Sequence, residues 1–266
     1  MVSLRKWWLG RIESPSLKQT GRRRAALIPT FLSAYGMQTF PARTFLFSLF
    51  LALGLLGAEP AAAQSYKAES LGEPPPSELA DQVRSALSPI GIRVTGPSGA
   101  LCDLWLAKAV AGKANAPQSL GVAFPQFAQG TLVGAIRFPS SVKDYRKQLI
   151  KAGVYTLRYA LLPENGNHMG VAPQRDFVLA SPAAADQDPS TLTIDQTLAL
   201  SRKATGSNHP SVWSLAPPED HPKSLPSVFH LDDGDLWLVE FQLPLQGATG
   251  SPLSMALVVV GSAPEA

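Results

Sequence analysis

Cysteine is nearly absent: Cys102 is the only one in 266 residues. A chain with one cysteine forms no intramolecular disulfide, no tetrathiolate zinc site and no CxxC redox pair. No cysteine stands at the end of the apolar run near the N-terminus, which argues against a lipid-anchored lipoprotein. The sequence has no HExxH, no G-x-S-x-G nucleophile elbow, no phosphate-cradling glycine motif and no internal repeat. Its longest apolar run, about Thr44 to Gly57, falls short of the roughly 20 residues that cross a bilayer. Charged residues make up only 16% of the chain, and most of the basic excess lies before residue 37.

That apolar run sits in MQTFPARTFLFSLFLALGLLGAEPAAAQ, residues 37–64. Arg43 supplies a positive n-region, the apolar stretch an h-region, and Ala61-Ala62-Ala63 a small-residue processing site. The segment reads as a Sec-type signal peptide, 37–63, with cleavage between Ala63 and Gln64. Residues 1–36 then read as a non-native upstream extension. They carry seven Lys/Arg (Arg5, Lys6, Arg11, Lys18, Arg22, Arg23, Arg24) against Glu13, a net of +6. Since the whole chain carries +3 and residues 37–63 balance, residues 64–266 carry −3. The basic pI near 9.0 therefore belongs to the part removed on export, and with it goes the attraction to nucleic acid. The expected location is periplasmic or extracellular, with no membrane span after cleavage.

About 200 residues remain, enough for one domain with an adequate core and no covalent staples. Gln64 to Pro76 ends in PPP and reads as a Pro-rich linker, leaving 77–266 as a single domain. SELADQVRSAL has the spacing of a short helix, with Ser77 as N-cap and Leu79, Val83 and Leu87 on one face. From Gly91 the period becomes two. GIRVTG, LCDLWLAKAV, TLVGAIRF, YRKQLI, VYTLRYALL, RDFVLAS, SVWSL, SVFHL, DLWLVEFQLPL and SMALVVVG read as strands. YRKQLI and VYTLRYALL are expected to pair as a hairpin, and Asp232-Asp233-Gly234 marks a tight turn. LVVV reads as a central buried strand. Residues 191–206 alone carry a helical pattern, closing on Lys203 and Gly206. Short strands with no βαβ rhythm predict a mainly β fold, an antiparallel β-sandwich with one or two short helices.

IKAGVYTLRYALLP, residues 150–163, resembles the AG-x-Y-x-L strand entry of uncharacterised secreted bacterial β-sandwich domains, centred on Ala152 to Leu161. The resemblance implies a sandwich and transfers no catalytic residue.

Candidate chemistry concentrates in NGNHMGVAPQRDF, residues 165–177, a polar loop between strands. His168, Asp176 and His209 have the ligand types of a zinc site, and Cys102, His168 and Met169 those of a copper site. Neither set shows a spacing that assembles it, and Cys102 lies in an apolar strand as a small hydrophobe does. Glu164 with Asp176, or Asp233 with Asp235 and Glu240, are the carboxylates available for glycoside hydrolysis, and the turn explains Asp232, Asp233 and Asp235 without it. For recognition, strand parity assigns Trp237, Tyr155 and Tyr159 to the core. It separates Trp105 from the neighbouring leucines, so Trp105 is expected at the surface and, with Arg175, is a candidate ligand contact. These readings favour a non-catalytic binding or structural accessory module with a glycan or protein partner at the cell envelope. The alternative is a metal-dependent protein or hydrolase, using zinc or copper, centred on 165–177.

Overall fold

In a computed structural model the described residues are 65–113, 116–163, 172, 174–219, 224–246 and 252–263. The signal segment, residues 1–36 and His168 fall outside them. Among the described residues of Ala62–Ala266, which forms one compact unit, twelve strands and two helices follow one another. They are β1 (Lys67–Leu71), α1 (Asp81–Ala86), β2 (Gly91–Gly96), β3 (Gly99–Leu106), β4 (Leu132–Phe138), β5 (Val142–Lys143), β6 (Leu149–Ile150), β7 (Gly153–Leu161), β8 (Asp176–Pro182), α2 (Ile194–Thr205), β9 (Ser211–Ala216), β10 (Ser227–Leu231), β11 (Leu236–Leu243) and β12 (Leu253–Val260).

Ten strands form one antiparallel sheet in the order β1-β2-β3-β4-β7-β8-β9-β12-β11-β10. The mainly antiparallel β class expected from the two-residue period is what the chain adopts, with all ten strands joined in one hydrogen-bonded sheet. β9 explains the continuity. Its first four residues pair with β8 (Ser211↔Ala180 to Ser214↔Phe177), and its last two with β12 (Leu215↔Leu257, Ala216↔Ala256). A strand that changes partner partway along turns the sheet through a corner. The sheet curls until β1 and β10, its two end strands, come into contact.

The concave face holds the main core, in which Cys102, Leu104, Ile136, Tyr159, Leu215 and Met255 are fully buried. The convex face is covered in two places. Leu79, Val83 and Leu87 pack against Trp105, Leu132 and Ala135, and α2 lies over β8 and β9, its Ser201 Oγ donating to Ala180 O at 2.8 Å. α2 opens with a capping box between Thr193 and Gln196 and closes on Gly206 in the left-handed conformation, φ 65°. α1 starts at Asp81 with Ala80 at its N-cap and no side-chain cap, so Ser77 does not fill the role its type suggests.

Two other expectations are corrected. Residues 64–76 are more than a linker: Lys67–Leu71 pairs along its length with β2. The hairpin expected between YRKQLI and VYTLRYALL does not form. Leu149–Ile150 pairs back on Val142–Lys143, while β7 runs between β4 and β8. The cause is Asp144. Its buried carboxylate accepts the backbone N–H groups of Arg146, Gln148 and Val212 at 3.0, 2.8 and 3.0 Å, with Lys147 at φ 64°, which folds YRKQ into a turn.

Candidate functional site

Trp105 is fully buried, which corrects its expected exposure. Parity did place it opposite Leu104, but that second face is also covered. Its indole Nε1 donates to Glu73 O at 2.9 Å, and the Arg137 guanidinium lies 5.2 Å above the ring. Arg137 belongs to a ladder across the strands: Glu69 pairs with Arg93, Arg93 with Asp103, and Asp103 with Arg137. Asp103 binds Arg93 Nε at 2.7 Å and Arg137 Nη2 at 2.7 Å. Burial opposes its charge, but the two guanidinium groups outweigh that and hold the carboxyl below its usual range.

Arg175, half-buried, donates from Nε and Nη2 to Leu162 O at 3.0 and 2.8 Å, bracing the loop entry to β8. Asp176 is fully buried. Its carboxylate accepts Ala123 N at 2.7 Å, Phe124 N at 3.0 Å and Tyr159 Oη at 2.6 Å, so its lone pairs are committed to the scaffold. His209 lies elsewhere, with Nδ1 3.4 Å from the Arg146 guanidinium. Ser211, two residues after His209, pairs with Ala180, four residues along β8 from Asp176. At about 3.3 Å per residue the two backbones stand roughly 13 Å or more apart along the sheet, whereas donors that each lie about 2 Å from one zinc ion are within about 4 Å of each other. Asp176 and His209 therefore do not meet, and His168 lies outside the described residues. Among the described residues no group of three or more His, Cys, Asp or Glu converges. The Cys102 thiol is buried in the core, and desolvation, with the Asp103 charge, pushes its pKa up.

A cluster that spacing alone does not reveal lies at one end of the β1–β10 seam. Trp237 stands beyond Val239 on the core-facing side of β11, where it is half-buried. Its ring centroid is 4.7 Å from that of Tyr66, which precedes β1, and 4.6 Å from that of His230 on β10. Tyr66 fits because Gly96 has no side chain: a Cβ there would stand 2.5 Å from the tyrosine Cε1. The β10–β11 turn, with Gly234 at φ 85° and Asp235 at φ 49°, brings two exposed carboxylates to His230. Asp235 Oδ1 is 2.7 Å from Nε2 and Asp232 Oδ1 is 3.2 Å from Nδ1. An imidazolium donates to both carboxylates, a neutral ring to one. Aromatic edges beside exposed carboxylates offer apolar contact together with acceptors for hydroxyl or ammonium donors. Tyr66 was missed because it lies in the segment read as a linker, and Trp237 because its parity matches the core.

An open groove of about 600 Å³ runs between α1 and α2, lined by Gln82, Asp186, Gln187, Asp188, Leu192 and Gln196. Its floor is structural. Asp186 is bound to the fully buried Arg158 at 2.7 Å (Nε–Oδ2) and 2.8 Å (Nη2–Oδ1).

Among the described residues no helix is long and apolar enough to cross a membrane. No family model, curated protein or solved structure matches the chain.

Proposed function

We propose that this chain is an exported, non-catalytic binding module of the bacterial envelope that meets its ligand through Tyr66, His230, Trp237 and the aspartates of the β10–β11 turn. The observation that carries this reading is the three-ring cluster with Asp232 and Asp235, set on an exposed turn of a rigid sheet. The disposition of the other polar groups supports it. Asp103, Asp144, Asp176 and Asp186 are each spent on holding the scaffold. The partner class that suits the cluster is an envelope glycan, whose C–H faces pack on aromatic rings and whose hydroxyls donate to carboxylates. Removal of residues 37–63 delivers the domain to the periplasm or the medium.

The test is a titration of intrinsic tryptophan fluorescence with N-acetylglucosamine oligomers and with solubilised peptidoglycan fragments, for wild type, Trp237→Ala and Asp232→Asn/Asp235→Asn. Saturable quenching in the wild type that weakens at least about tenfold in both variants is the expected result, the loss of one aromatic contact or of charged hydrogen bonds each being worth about 1.4 kcal/mol or more. Equal titration of all three proteins refutes the assignment of the surface.

A further inference from the structure

Five acids are buried among the described residues: Asp103, Asp144, Asp176, Asp186 and Glu240. Four have two or more donors each. Glu240 differs. It is fully buried in β11, and neither carboxylate oxygen has a hydrogen-bond partner. Directly opposite it in the strand pair, Ser227 of β10 holds a buried Oγ that is also unpartnered. Cross-strand partners project from the same face with Cβ atoms about 5 Å apart, so the orphan hydroxyl and the orphan carboxylate are neighbours. The rest of that face is apolar, with Leu236 and Leu238 earlier on β11 and Ala256 opposite Glu240 on β12.

The connection that leaves β9 brings a second acid. The Glu219 backbone N–H favours charge on Glu240 without completing a hydrogen bond, and the Glu219 carboxylate is close enough to oppose that charge. Burial first, then this repulsion, pushes the Glu240 carboxyl above its usual range against the pull of the N–H. Glu240, a buried carboxylate with an orphan hydroxyl opposite it and the exposed Glu219 acting against its charge, is costly to ionise unless something positive sits beside it.

We propose that Glu240, Glu219 and Ser227 form a binding site for a hard divalent cation, Ca²⁺ in the first place. The donors are all oxygen, two charged and one neutral, which suits Ca²⁺ or Mg²⁺ and not the nitrogen- and sulfur-preferring metals. Ca²⁺ accepts irregular sets of six to eight oxygens, including backbone carbonyls and water, whereas Mg²⁺ demands a near-regular octahedron. The bound ion ties the β9–β10 connection to the sheet. This site is separate from the aromatic cluster and does not depend on the binding function proposed above.

The experiment is equilibrium dialysis of chelator-treated full chain against Ca²⁺ and, separately, Mg²⁺, combined with thermal unfolding of wild type, Glu240→Gln and Ser227→Ala. The expected result is one Ca²⁺ per chain. Saturating Ca²⁺, near a hundredfold excess over Kd, raises the wild-type Tm by about 5 to 10 °C and leaves Glu240→Gln unmoved. Less than about a tenth of a Ca²⁺ per chain at millimolar free ion overturns the proposal, as does undiminished binding by Glu240→Gln and Ser227→Ala. A Glu240→Gln protein that still melts above wild type at pH 8 in saturating Ca²⁺ shows that the buried acid gains nothing from the ion and also overturns it. Should Glu240→Gln not fold, wild-type dialysis and Ser227→Ala decide the question.

Discussion

Replacing Arg158 by Met removes a fully buried cation that makes more hydrogen bonds than any other side-chain cation among the described residues. The guanidinium has five N–H donors, and here it makes five hydrogen bonds. Nε and Nη2 grip Asp186 at 2.7 and 2.8 Å, Nη1 reaches Gly130 O and Ser190 O at 2.8 Å each, and Nη2 also reaches Asp188 O. Methionine fills much of the space but donates nothing. The Asp186 carboxylate would keep only the Thr156 hydroxyl, at 2.5 Å. An uncompensated buried charge costs about 3 to 5 kcal/mol when one partner of such a pair is deleted. For a domain of this size, at about 2 to 4 °C per kcal/mol, the Tm falls by roughly 6 to 20 °C. The position also aligns the 183–192 connection, where Gly130 at φ 85° meets Leu192 so closely that a Cβ would stand 1.9 Å from its carbonyl oxygen. Urea unfolding monitored by tryptophan fluorescence gives the free energy, and Arg158→Met with Asp186→Leu closes a double-mutant cycle. The double variant should recover most of the loss, because an apolar pair of similar volume leaves no stranded charge. A loss under about 1 kcal/mol in the single variant refutes the reasoning, since it means that the carboxylate is solvated or protonated at little cost.

Asp176→Asn keeps the volume but replaces one acceptor oxygen by a donor that faces the Ala123 and Phe124 N–H groups. It should cost about 1 to 3 kcal/mol in urea unfolding. Asp103, its carboxyl held low by Arg93 and Arg137, stabilises the fold above the ordinary aspartate range near 3.9, and that contribution is lost as pH falls through the lower folded value. Stability measured from pH 6 down to 2 should therefore fall less steeply in Asp103→Asn than in wild type. Glu240 has the opposite sign. Its raised carboxyl favours folding at low pH, and that advantage disappears as pH climbs from about 4.3 through the folded value, so without added Ca²⁺ the gap between Glu240→Gln and wild type should widen in favour of the variant. Intact mass of the exported protein should match a chain that begins at Gln64. A mature chain that retains residues 37–63 contradicts the reading of a cleaved signal.

Most of the strands were legible because alternation survives wherever one face meets the core. β2, β4, β7, β8, β9, β11 and β12 fall within a few residues of their predicted runs. Errors arose where one side chain reorganises the backbone. Nothing in the spacing of YRKQLI says that Asp144, just before it, will gather three backbone N–H groups and turn the chain. β1 was hidden because KAESL alternates too weakly to mark a strand, and what holds it is its pairing with β2. Trp105 shows the limit of parity, which gives the side of a sheet but not whether a helix covers that side. The pairs of the ladder from Glu69 to Arg137 and the pair of Arg158 with Asp186 join residues 10 to 34 positions apart, so they appear only once register is known. The site was legible in part. Trp237 and the DDGD turn are legible singly in the sequence, whereas His230 and Tyr66, which complete the rings across the seam, are not.

The most direct test of the proposed function is a two-dimensional ¹H–¹⁵N spectrum of the exported domain recorded during titration with peptidoglycan fragments, followed at the indole N–H signals. The binding account predicts progressive shifts of the Trp237 indole and of the Tyr66, His230 and Asp232–Asp235 amides. The buried indoles of Trp105 and Trp213 should stay fixed, since they donate internally to Glu73 O at 2.9 Å and to Ser211 Oγ at 3.0 Å. Shifts confined to the α1–α2 groove, at Gln82, Gln187 and Gln196, would contradict it and move the contact surface to the opposite element of the fold.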